Sequence, residues 1–87
     1  MSYYRIEIEN TRSENVFNKM RESGIHTVCS RNDTDVISTV IVESQIYNSD
    51  EIFQMLKMIN DGHKCDIWQI SEEQLNEYIK RPKLDNR

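Results

Sequence analysis

The chain has 87 residues, a formal net charge of −4 at pH 7 and an isoelectric point near 5.1. A chain of that length makes one domain, close to the size below which a single core needs disulfides or a metal to hold a fold. The acidic balance argues against sequence-independent nucleic-acid binding, which needs a basic surface to displace counterions from phosphates, and two cysteines, Cys29 and Cys65, are too few for a disulfide framework.

Ile, Val, Leu and Phe number 21 of the 87 residues, enough apolar surface for a globular core. No apolar run reaches the ~18 residues of a membrane span, and MSYYRIEIE has neither a basic segment nor an apolar signal core, so a cytoplasmic protein without a membrane partner is expected. The chain has no Ala, with eleven Ile and eight Asn. That bias follows codon content and points to an AT-rich genome, such as that of a low-GC bacterium or its phage.

Residues 2–9, SYYRIEIE, alternate as a strand does, with Tyr4, Ile6 and Ile8 on one face and Tyr3, Arg5, Glu7 and Glu9 on the other. Thr11 followed by Glu14 has the form of a capping box, with Ser13 as a competing cap. The stretch to Ser23 carries Val16, Phe17 and Met20 at helical spacing before Gly24. A second strand is expected over residues 25–31, then a turn at Asn32–Asp33–Thr34.

Residues 35–47, DVISTVIVESQIY, form the longest apolar and β-branched run. Val36, Val40 and Val42 fall at one parity and Ile37 and Ile41 at the other, so both faces of this strand require cover, which makes it central. Asn48 with Glu51 opens a second helix whose stripe is Ile52, Met55, Leu56 and Ile59, ending at Asp61–Gly62. Residues 64–70, KCDIWQI, suit a last strand. Ser71 with Gln74 then caps a third helix carrying Leu75, Tyr78 and Ile79 and stopped by Pro82.

The expected fold is therefore α+β: a ferredoxin-like β-α-β-β-α-β antiparallel sheet of order 4-1-3-2, two helices on one face and an extra C-terminal helix. A single domain over residues 1–82 and a flexible tail over 83–87 follow. The two main helices fill one face of the sheet. The other face is left to the third helix or to a second protein surface.

His26 and Cys29 with His63 and Cys65 are zinc-ligand types in two close pairs. The expected topology puts those pairs on opposite edges, about 14 Å apart at the ~4.8 Å strand spacing, so no metal is expected. Cys65 between His63 and Asp66 does not make a nucleophile site, since neighbours in a strand alternate faces. Glu7 and Glu9 share a face and could serve acid–base or metal chemistry, but they alternate with Ile6 and Ile8 as a solvated face does. Tyr3 and Trp68 could stack RNA bases, although the central run offers no aromatic before Tyr47. The 10–13 segment, NTRS, has neither the glycine of a phosphate-cradling loop nor a Cys-x-x-Cys pair. Met55 and Met58 read as core, and Phe53, off the stripe, as the better exposed anchor.

The segment ESGIHTVCSRNDTDVISTVIVES resembles part of a small-molecule-sensing ACT domain, with a helix end, Gly24, an apolar strand and a hairpin in order. The Pro–Gly usual between the first strand and helix of that family is replaced by Thr11–Arg12 or Arg12–Ser13. The resemblance implies a ligand-sensing homodimer as one alternative, and the acidic and His/Cys residues imply a small metal-dependent enzyme as another.

The leading expectation is a non-enzymatic protein-interaction module, regulatory or inhibitory, without a cofactor. If phage-encoded, it would be directed at a host protein. Its partner, another protein or a second copy, would meet Tyr3, Arg5, Ile37, Thr39, Ile41 and Trp68 on the second sheet face.

Overall fold

The computed structural model describes residues 2–80. The strands are β1 (Ser2–Glu9), β2 (His26–Asn32), β3 (Ile37–Ser44) and β4 (Asp66–Ile70), and the helices are α1 (Asn10–Glu22), α2 (Ser49–Ile59) and α3 (Glu72–Lys80). The expected stop at Pro82 and tail over 83–87 lie outside the described residues.

All strand pairs are antiparallel and the sheet order is β2-β3-β1-β4. Counted from the β4 edge, the same neighbours read 4-1-3-2. The two central strands are β1 and β3, which have a neighbour on each side. Tyr4, Ile6 and Ile8 of β1 and Val40 and Val42 of β3 are buried with Val16 and Met20 of α1 and Ile52 and Leu56 of α2. One face of the sheet and two amphipathic helices thus close a single core.

Both loops that end the main helices follow from their sequence. Gly24 at φ 87° lets the Gly24 N–H reach the Arg21 carbonyl and the Ile25 N–H the Met20 carbonyl, the paired bonds of a Schellman cap. After α2 two successive residues are left-handed, Asp61 at φ 55° and Gly62 at φ 77°. The fully buried Asn60 secures that turn, donating through Nδ2 to the His63 and Lys64 carbonyls and accepting from Arg12 Nε at 3.1 Å. That hold on Lys64 explains why β4 begins at Asp66 and not at 64.

The expected capping boxes at Asn48/Glu51 and Ser71/Gln74 are present, each with its two reciprocal bonds at 2.9–3.0 Å. The Thr11/Glu14 box is not. Helix α1 starts directly after β1 at Asn10, with no side-chain cap. Asn10 instead fastens the helix start to the β2–β3 hairpin: its N–H bonds to the Val36 carbonyl at 2.7 Å and its Nδ2 to the Asp35 and Thr34 carbonyls at 2.6 and 3.2 Å.

The Ser38 hydroxyl lies 2.6 Å from the side-chain amides of both Asn10 and Asn32. Its one proton goes to Asn10 Oδ1, whose orientation the two carbonyls fix, so Asn32 meets it through its amide N–H.

The central run is shorter than 35–47. Thr34 Oγ1 accepts from the N–H groups of Val36 and Ile37, holding 35–36 in the hairpin loop and leaving Val36 61% exposed. Ser44 Oγ accepts from Ile46 and Tyr47, which turns the chain out of the strand. Within β3 the two-sided burial holds, with Ser38, Thr39, Val40, Ile41 and Val42 all fully buried. Ile41 is therefore covered on the face opposite the main core. Ile41→Ala is expected to cost about 2–5 kcal/mol in urea unfolding, and Ile41→Glu to leave no folded chain. A stably folded Ile41→Glu protein would show that this side chain faces water.

Candidate functional site

The second face of the sheet is half closed. Helix α3 follows β4 after the single residue Ser71 and lays Leu75, 6% exposed, against this side. One turn on, Tyr78 donates to Asp33 Oδ1 at 3.4 Å, meets the Thr39 hydroxyl, and lies under the Arg31 guanidinium, whose carbon is 4.0 Å from the ring centre. Asp33 also accepts from Thr39 Oγ1 and pairs with Arg31 Nε. An aromatic ring, a cation and a carboxylate thus tie α3 to the β2–β3 hairpin. Ile79 is not part of this contact and is 55% exposed.

The other half of the face, over β1 and β4, stays open. The strand register places Tyr3 beside Ile70, Arg5 beside Trp68 and Glu7 beside Asp66. Trp68 is 46% exposed. The Arg5 guanidinium lies 5.7 Å from its ring centre and pairs with Glu7 at 2.8 Å, while Arg5 Nε is buried without a hydrogen-bond partner among the described residues. A flat aromatic side chain with a cation over its ring can receive another protein surface.

Of the six residues expected on an interaction face, Tyr3, Arg5 and Trp68 come together here. Thr39 and Ile41 share the face but lie beneath α3, fully buried. Ile37 pairs with Glu9 at the far end of β3 and lines a cleft of about 250 Å³ with Glu7, Cys65 and Asp66. Ile70 belongs to the open face and was legible in the sequence, since it shares the parity of Trp68. Phe53 is not an exposed anchor: it packs on the core and carries Lys57 over its ring at 5.3 Å. Met58 is not in the core as expected: one position off the buried stripe of α2, it is 80% exposed.

Among the described residues the two His/Cys pairs of the sequence lie apart. His26 lies by Glu43 at 3.8 Å near the β2 edge, and His63 by Glu9 at 3.7 Å near the β4 side. Burial pushes both thiols above the ordinary 9.0, opposed at Cys29 by Arg31 and at Cys65 by a hydrogen bond from Asn60. A raised pKa leaves less thiolate at neutral pH for nucleophilic attack. Among the described residues no three His, Cys, Asp or Glu side chains are grouped to hold a metal ion. Comparison with protein-family models, with curated proteins and with solved structures gives no match.

Burial also pushes the Tyr78 phenol above its ordinary 10.0, with Asp33 adding to the rise and Thr39 and Arg31 opposing it. The unfolded chain releases these three protons at lower pH than the folded one, so the stability they support is intact below pH 9 and lost as pH rises. The unfolding free energy from urea titration is expected to fall between about pH 9 and 11, and Tyr78→Phe to lower it at neutral pH by about 1 kcal/mol while flattening the fall above pH 10. A variant whose loss of stability stays parallel to wild type across that range would remove Tyr78 from the linkage.

Proposed function

We propose that the chain is a ferredoxin-like protein-interaction module, regulatory or inhibitory and without catalysis of its own, that receives a protein partner on the open half of its second sheet face. The observation that carries this reading is Trp68, an exposed tryptophan on a rigid strand, flanked by Arg5, Tyr3 and Ile70. Trp, Tyr and Arg are the residue types that dominate binding energy where surfaces meet, and a strand presents them with little entropy left to lose. The net charge of −4 suits a protein partner better than a phosphate backbone. An RNA-stacking platform would use the second central strand as well, and there Thr39 and Ile41 lie under α3.

The composition that points to an AT-rich genome makes a phage protein directed at a host protein one form of this function. Capture of binding proteins on the immobilised chain, with mass spectrometric identification and titration of each, tests it. Trp68→Ala is expected to weaken the partner about 30-fold, and Met58→Ala, at a more exposed apolar residue on α2, to leave it unchanged. A partner held as firmly by Trp68→Ala as by wild type would rule this face out.

A further inference from the structure

The open half of the second sheet face is apolar at one end and acidic at the other. Tyr3, Trp68 and Ile70 lie toward the end where β4 passes into α3, and Glu7, Glu9 and Asp66 toward the end where β1 passes into α1. The register sets Glu7 directly opposite Asp66, and like charges so placed work against the sheet. The chain relieves them only in part. Arg5 bonds Glu7 at 2.8 Å, and His63 stands 3.7 Å from Glu9, which it neutralises only when protonated. Among the described residues Asp66 forms no ion pair.

The three carboxylates share a cleft of about 250 Å³ with Val36, Ile37 and Lys64, the one cation among the described residues of its lining. They are not grouped closely enough to hold a bare metal ion. A cation of longer reach suits them better. A guanidinium is planar and can bond two carboxylates at once, and the alkyl stem that carries it can lie along the apolar wall of Val36 and Ile37.

We infer that the partner received on this face is cationic there, setting an apolar side chain on Trp68 and an arginine among Glu7, Glu9 and Asp66. The inference rests on the open half of the sheet being the binding face. Trp68 and Asp66 are two residues apart on one side of β4, so the partner's apolar and basic groups stand about 7 Å apart. Two positions along a partner strand give that spacing, and four along a partner helix give about 6 Å. The net charge of −4 draws such a partner in and turns acidic competitors away.

The probe is an alanine-based helical peptide with leucine and arginine alternating four positions apart along one face. It is titrated into the full chain while the fluorescence of the sole tryptophan is followed. Binding with a dissociation constant below about 1 mM and a blue shift of that fluorescence are expected, and neither from the same peptide with glutamate for arginine. Glu9→Gln with Asp66→Asn, which leaves the Arg5–Glu7 pair in place, should weaken the arginine peptide about tenfold. Asp66→Asn alone gives the reading if the double variant does not fold. Glu14→Gln with Glu22→Gln, which removes as much charge from exposed positions on α1, should leave the affinity unchanged.

Equal losses from the two double variants would reduce the effect to net charge and overturn the inference. So would equal binding of the glutamate peptide, or no binding of the arginine peptide up to about 5 mM. The titration needs no natural partner, so failure to capture one counts against the proposed function alone. A captured partner lost by Trp68→Ala but held at full strength by Glu9→Gln with Asp66→Asn would keep the face and overturn its cationic occupant.

Discussion

The structure depends on β3 being buried on both faces. A strand that is apolar at both parities needs a layer on each side, and the chain supplies them unequally: two helices over Val40 and Val42, and one short helix over Ile41. The second layer also brings a hydroxyl, Thr39, out of water, and a buried hydroxyl without a partner would cost about 1–3 kcal/mol. Asp33, at the start of the hairpin loop, accepts its proton. The same carboxylate then meets Arg31 and Tyr78, so the group that satisfies the buried strand also anchors the helix that buries it.

That arrangement leaves the molecule lopsided. Helix α3 spans nine residues, and only Leu75 on it is deeply buried. Nine residues rise about 14 Å, enough to cross roughly three strands at 4.8 Å spacing but not to cover them along their length. Tyr78 reaches the β2–β3 hairpin, and the β1–β4 side stays open. The exposure of Trp68 is a consequence of where the helix lies.

Much of the fold could be read from local sequence. The alternation in SYYRIEIE, the stripe of α2 and the two capping boxes are short-range patterns whose physics is complete within a few residues. The missed features depend on distant partners. Thr11 and Glu14 have the right spacing for a cap, but Asn10 is claimed by the carbonyls of Thr34 and Asp35, twenty-four and twenty-five residues away, and so the helix starts earlier. Val36 has the parity of a core valine, yet Thr34 pulls it into the loop. The interaction face was half legible for the same reason. Parity placed Thr39 and Ile41 with Arg5 and Trp68 correctly, and only the path of α3 separates the covered pair from the open one.

The single residue between β4 and α3 has one more effect. Ser71 donates its N–H to Gln74 Oε1 and accepts the Gln74 N–H on its hydroxyl oxygen, so the strand and helix are joined with almost no slack. A one-residue slip of β4 along β1 would turn Trp68 toward the helices and Ile67 outward. It would also swing the helix start, carrying Leu75 out of its buried seat and Tyr78 off Asp33. The register of a five-residue strand, too short to specify itself firmly, is thus checked a second time from the far side of the sheet, and the orientation of Trp68 is as secure as the seat of α3.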